Sequence, residues 1–289
     1  MKVDFFIVGA PKAGTTSLYH YLNEHPEIEM SSQKEPDFFS DKAILEQGMY
    51  YGKNRIDTIE KYHSLFENSN DQKKKGEGSV SYLFYQDVPA KIKRYNHDAK
   101  IIIMLRSPVE RAFSHYLMDY RLGLVSDAFE DIVNRKKKNN KNDLFYQQYI
   151  EVSVYSKQVK RYLNVFEKEN ILIIDYIDFK EDISEVLDRL FQFIGVSTDF
   201  EPNVEKKHNP YSMPKNKIIR FIYSFVVLRK VLKLLFSQTL AKKIRLLLFK
   251  EDKKPKLSKA LRLQLNKYFK NDIERLGKLL DKDYLRWIK

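Results

Sequence analysis

The sequence predicts an α/β fold in three layers, with a mostly parallel central sheet flanked by helices and a helical C-terminal region. Three observations carry this reading. Short apolar runs rich in Ile, Val and Phe, at residues 3–8, 100–105 and 171–175, have the composition of strands buried on both faces. Helical patterns separate them, the alternation that joins parallel strands by crossovers. The first two runs each lead through a short turn into a helix start.

Taken in order, the strand at residues 3–8 is followed by a loop at 9–14 with glycine at both ends. A helix then begins near Thr15, places Leu18, Tyr21 and Leu22 on one face, and ends near His25-Pro26. After the strand at 100–105, Ser107-Pro108-Val109-Glu110 reads as a helix start: Ser as N-cap, Pro at the first helical position, Glu three residues after the cap. Residues 153–166 form a crossover helix into the strand at 171–175, and the next helix, 183–194, stops at Gly195. Residues 67–75 and 135–142 read as irregular, and the lysine runs 73–75 and 136–138 as solvated loops. Beyond Pro214 the pattern is helical, with a last helix at 258–280 and Trp287 near the end. The region 214–289 is expected to pack on the sheet within one domain covering 1–289. For residues 218–249, where aliphatic residues mix with Arg and Lys, the alternative is a basic amphipathic surface resting on a membrane.

Composition narrows the chemistry. The 289 residues are 43% hydrophobic, enough for a packed core. There is no cysteine, which excludes disulfides, thiolate zinc sites and a thiol nucleophile, and fits a reducing compartment. Neither a signal-peptide pattern nor an apolar run long enough to span a bilayer is seen, so a cytoplasmic location, with peripheral membrane contact as a variant, is the expectation. The net charge of +13 points to anionic partners such as nucleotide phosphates, acidic glycans, nucleic acid or a membrane surface.

The loop Gly9-Ala10-Pro11-Lys12-Ala13-Gly14-Thr15-Thr16-Ser17 joins a strand to a helix. Unpaired N–H groups at a helix start, together with the helix dipole, favour an anion there. Small residues let a phosphate come close, Lys12 adds a full charge, and Thr15, Thr16 and Ser17 add hydroxyls. The loop is P-loop-like but is not that of an NTPase, whose lysine follows the second glycine and precedes a magnesium-binding Ser or Thr. Here Lys12 lies before Gly14, and Arg106 ends the second strand where an acidic metal ligand might stand. No metal is therefore expected. Arg106, at the carboxyl end of a strand, offers a planar fork suited to phosphate. Ser114, two turns into the following helix, adds a hydroxyl.

These residues carry a resemblance. The stretch from Pro11 to Leu18 resembles the 5′-phosphosulfate loop of sulfotransferases that use 3′-phosphoadenosine 5′-phosphosulfate (PAPS). The stretch from Leu105 to Tyr116 is similar to their 3′-phosphate motif. The resemblance implies that Lys12, Ala13, Gly14, Thr15, Thr16 and Ser17 hold the 5′ end of PAPS, with Lys12 neutralising the leaving oxygen, and that Arg106 and Ser114 hold its 3′-phosphate. Lys34-Glu35-Pro36-Asp37-Phe38-Phe39 resembles a segment of glycan sulfotransferases, the heparan sulfate type in particular, which makes Glu35 the base. A proline after Glu35 should hold it extended; a plain Lys–Glu35 salt bridge is the other reading of the segment. Asp37 and His115 are the spare carboxylate and base, and Glu110 with Arg111 reads as a structural ion pair or a cap. Residues 77–83 are similar to a further segment that often has lysine where this chain has Gly78. Residues 155–178 match the family's helix-then-strand, and 206–217 a loop closing over the donor, in which Lys215 is a donor contact or a solvated lysine. The implied acceptor is a hydroxyl or amine of a carbohydrate, such as an acidic polysaccharide or a lipid-linked glycan, and not nucleic acid. The rivals are a P-loop kinase or NTPase, and a non-enzymatic basic module that binds polyanions or membranes.

Overall fold

The computed structural model describes residues 1–48, 55–66, 73–204, 212–215, 248–251 and 255–288. Its centre is a sheet of β1 (Phe5–Gly9), β2 (Ile28–Met30), β3 (Lys74–Gly78), β4 (Lys100–Leu105) and β5 (Ile171–Asp175), in the order β2-β3-β1-β4-β5. Every pairing in it is parallel. A second, antiparallel pair joins β6 (Ser212–Pro214) to β7 (Phe249–Glu251). The helices are α1 (Thr15–Glu24), α2 (Asp41–Glu46), α3 (Ile59–His63), α4 (Val88–Tyr95), α5 (Pro108–Arg121), α6 (Phe129–Val133), α7 (Asn140–Tyr149), α8 (Ser156–Leu163), α9 (Tyr176–Glu181), α10 (Ile183–Ile194) and α11 (Lys259–Leu280). β1 lies between β3 and β4, so the chain leaves it towards one edge and later returns to build the other. Such a reversal opens a crevice at the carboxyl ends of the central strands, where α/β sheets bind ligands.

The strands legible as apolar runs are found at those places, since β1 is buried throughout and β4 nearly so. Strands β2 and β3 were not expected. β2 has three residues, and β3 reads Lys74-Lys75-Gly76-Glu77-Gly78, a composition that suggests a loop. Gly76 is required there because the Phe5 ring fills the space of a side chain: a Cβ would lie 2.1 Å from its Cζ. The expectation of a solvated loop thus fails at Lys74 and Lys75. Lys75 is buried, and its N–H donates to Asp4 Oδ2 at 2.7 Å. At the second lysine run it holds: Lys136 and Lys137 are exposed and pair with Asp131 and Asp127.

Two helix starts differ from their reading. The crossover helix is shorter, a 3-10 turn at Glu151–Ser153 followed by α8, because Asp272 of α11 accepts the N–H groups of Tyr155 and Ser156 at 2.7 and 3.2 Å. At α5, Ser107 is the N-cap residue but makes no cap bond; its hydroxyl donates to the Trp287 carbonyl at 3.4 Å. Glu110 pairs with Arg262 at 2.7 Å and Arg106 at 3.7 Å.

Helix α11 sends Leu261, Leu265, Phe269, Ile273 and Leu276 into the same hydrophobic core as β1 and β4. Beyond it, the Trp287 indole N–H donates to the buried Asp175 carboxylate at 3.1 Å, and Arg286 pairs with Asp175 and Asp178. Trp287→Ala should cost about 3–5 kcal/mol, since it opens a cavity and removes a donor from a buried carboxylate. Urea unfolding measures this, and a loss under about 1 kcal/mol would mean that the end of the chain is not a structural latch. The basic stretch at 218–247 lies outside the described residues, as do 67–72 and most of 206–217.

Candidate functional site

The loop after β1 is built by two left-handed residues, Lys12 (φ 67°) and Gly14 (φ 101°). Only glycine fits the second place, because a Cβ would lie 2.9 Å from Met104 Cε and 3.0 Å from the Tyr176 ring. Ala10 donates its N–H to the Met104 carbonyl at 2.7 Å, which ties the loop to β4. Helix α1 then starts with no side-chain cap and no acidic residue in its first turn. The N–H groups of Gly14, Thr15 and Thr16 have no backbone acceptor, and the hydroxyls of Thr15, Thr16 and Ser17 have no partner among the described residues. Six donors at the positive end of a helix dipole make a cradle for an anion.

Lys12 is partly buried, with its ammonium 3.4 Å from Met118 Sδ, a weak acceptor. Burial, helped by the charges of Arg121 and Arg106, lowers its pKa to about 8, while Glu35 and Asp119 oppose the shift. The same carboxylates place Glu35 and Asp119 within electrostatic reach of the ammonium.

Arg106 connects this loop to the next strand. It follows β4, stacks on the Tyr176 ring with 4.7 Å to the centroid, and donates to the Lys12 carbonyl at 3.1 Å. Its own carbonyl accepts from the Tyr155 hydroxyl at 2.9 Å. Four-residue steps from Arg106, just before α5, pass through Glu110 and Ser114 to Met118 on the helix. Both ends of that stripe touch Lys12. Ser114 is half-buried between them, and its hydroxyl has no partner among the described residues.

Glu35 lies beyond β2 in a loop laid along the end of β3. Its N–H donates to the Gly78 carbonyl at 3.0 Å, and its carboxylate holds the Lys34 ammonium. The salt bridge that the sequence allowed is therefore formed. Contrary to the extended conformation expected before Pro36, Glu35 is left-handed (φ 58°), as is Asp37 (φ 56°). The anchoring bonds on either side of the proline override the local preference. Gly78 presents no side chain, and a Cβ there would meet the Tyr19 ring at 3.4 Å.

The two spare groups are structural. Asp37 is buried and accepts from Ser81 Oγ at 2.6 Å. His115 is buried against Arg111 at 3.2 Å, and burial with the Arg111 and Lys12 charges pushes its pKa well below the usual value, so it is neutral. Arg111 does not pair with Glu110. It is fully buried and donates to Ser153 Oγ at 2.6 Å and to the Gln148 and Tyr149 carbonyls at 2.7 Å each, knotting α5 to α7. Lys215 is exposed beyond β6; its N–H donates to the Leu248 carbonyl at 3.0 Å and its ammonium has no partner among the described residues.

Sequence reasoning missed Asp119, Arg121 and Glu77. The first two lie on α5 within one turn of Met118; Arg121, seven residues after Ser114, shares its face and continuing that register would have found it, whereas Asp119 is off that face. Glu77 is fully buried and pushed up to about 7, chiefly by burial and less by the nearby Asp37 charge. Nothing in the run Lys74–Gly78 signals that depth.

A model of the sulfotransferase domain matches residues 2–278. This chain belongs to the sulfotransferase family. Among curated proteins, it is 27% identical to carbohydrate sulfotransferase 15 of Mus musculus over 66% of this chain and 43% of that one. It is 25% identical to heparan sulfate glucosamine 3-O-sulfotransferase 3B1 of Homo sapiens over 66% of this chain and 45% of that one. The chain thus spans less than half the length of these curated relatives. Among solved structures, a sulfotransferase from Alicyclobacillus acidocaldarius is similar over the whole of both chains, with 28% identity and a TM-score of 0.72. The matched range includes the Lys12 loop, Glu35 and the Arg106 helix.

Proposed function

We propose that this sulfotransferase moves a sulfuryl group from PAPS to a hydroxyl or amine of a carbohydrate. The observation that carries the reading is the Arg106–Lys12 bond, which joins two groups of free donors at the ends of β1 and β4. That spacing suits one nucleotide with phosphates at both its 5′ and 3′ positions. The Lys12 loop and the N–H groups of Gly14, Thr15 and Thr16 would hold the 5′ end, and Arg106 with Ser114 the 3′-phosphate. PAPS supplies an activated sulfuryl group. Glu35 takes the proton from the acceptor as the new bond to sulfur forms. Lys12 and the loop N–H groups hold the charge that collects on the phosphate oxygen as its bond to sulfur breaks. The carbohydrate acceptor is supported by the two curated relatives and by the net charge of +13, which suits an acidic glycan.

The test is incubation with labelled PAPS and a panel of heparosan, desulfated heparin, chondroitin and a lipid-linked oligosaccharide, with mass spectrometry of the products. Sulfated sugar from at least one member is expected, and no product from any of them would sink the carbohydrate reading.

Nucleotide binding should also move a proton. Near pH 8 Lys12 is about half protonated, and a phosphate beside it raises its pKa again. Binding adenosine 3′,5′-bisphosphate should therefore take up about half a proton per site at pH 8, where its phosphates are already ionised. Affinity should weaken as pH rises above 8. Calorimetry in two buffers of different ionisation enthalpy reads the uptake directly, and no uptake at pH 8 would place Lys12 away from the phosphate.

A further inference from the structure

We propose that the buried Glu77 is a positioning residue for the transfer: it turns the Ser79 hydroxyl into an acceptor that fixes the loop carrying Glu35. The inference rests on the reading of Glu35 as the base.

The argument follows the protons. Ser79 donates its only hydroxyl proton to Glu77 Oε1 at 2.5 Å, which leaves its oxygen free to accept from the Asp37 N–H at 2.9 Å. Tyr82 lies beside the same carboxylate, and its hydroxyl accepts from the Phe39 N–H at 3.2 Å. A second hydroxyl, Tyr62, donates to Glu77 Oε2 at 2.6 Å. In its ionised form this carboxylate only accepts; it receives two protons, and Ser79 passes the polarity on to the loop. Together with the Glu35 N–H on Gly78, these bonds anchor positions 35, 37 and 39, alternate residues of the segment whose first member faces Lys12. Ser81 and Ser40 close the loop from its other side, through Asp37.

A glutamine at 77 cannot do this. Its single amide oxygen would face two hydroxyl donors, and its NH2 group would turn one hydroxyl proton towards a neighbouring donor. A loop N–H would then lose its acceptor, and Glu35 would be held less tightly against the site. A shift of that size is enough to slow a positioned reaction by about a hundredfold. No contact of Glu77 with the Lys12 loop is involved, so nucleotide affinity should not change.

The experiment compares the whole protein with Glu77→Gln, Ser79→Ala and the double variant. The expected result is faster amide exchange across residues 34–40 in each variant. Turnover with PAPS and desulfated heparin should fall at least tenfold, and the affinity for adenosine 3′,5′-bisphosphate should stay within twofold. The double variant should be no worse than Ser79→Ala alone, because both changes break one chain of bonds. Unchanged exchange at 34–40 in Glu77→Gln would overturn the proposal whatever the acceptor proves to be. Faster exchange with turnover unaffected would overturn Glu77's part in the reaction. Absence of any transfer by the wild-type protein would instead count against the reading of Glu35, with the exchange data still deciding the loop.

Discussion

Replacing Lys12 by alanine is expected to lower turnover with PAPS by about a thousandfold, the usual loss when a preorganised group facing transition-state charge is removed. The ammonium lies within electrostatic reach of Glu35, Asp119, Arg106 and Arg121, at the start of a helix with free N–H groups. Burial makes each of those interactions count for more than it would in water. The protein should still fold, since the only described hydrogen bond of the ammonium is the weak one to Met118, and its loss relieves repulsion with two arginines. Steady-state rates at saturating PAPS, with a thermal melt as control, check this. A fall of less than tenfold would remove Lys12 from the reacting centre.

Glu35→Gln should lower turnover by about two to four orders of magnitude, the range for loss of a general base. Binding of adenosine 3′,5′-bisphosphate should be nearly unchanged, because the Arg106, Ser114 and loop contacts are intact. Glutamine keeps the size of the side chain and leaves the Glu35 N–H on Gly78, so the loop should hold its path. The proton acceptor, the pair with Lys34 and the attraction to the Lys12 ammonium are lost. Single-turnover rates and nucleotide titration on one preparation separate the two effects. Equal turnover in variant and wild type would pass the role of base to another group.

How much could be read from the residues depends on where their physical cause lies. The Lys12 loop was legible because its chemistry is local: glycine, lysine and hydroxyls sit together at a strand-to-helix turn. β4, β5 and α10 were legible for the same reason, as buried apolar runs and a helix ended by Gly195. β3 was not, because Gly76 answers to the Phe5 ring, and Glu77 is buried beside Tyr62 and Tyr82, neither of them in its own run. The left-handed turn at Glu35 was likewise hidden, since its anchors are the Gly78 carbonyl and the Ser79 hydroxyl, more than forty positions away. Arg111 looked like a partner for Glu110 one position before it, yet tertiary contacts send the two in opposite directions, to α7 and to α11.

The account stands on two anion cradles that grip one nucleotide, and calorimetry with adenosine 3′,5′-bisphosphate and with magnesium ATP tests that most directly. One bisphosphate should bind per chain, weakened at least tenfold in both Lys12→Ala and Arg106→Ala, with ATP much weaker. Tight binding of magnesium ATP, or bisphosphate binding that is indifferent to Arg106, would contradict it.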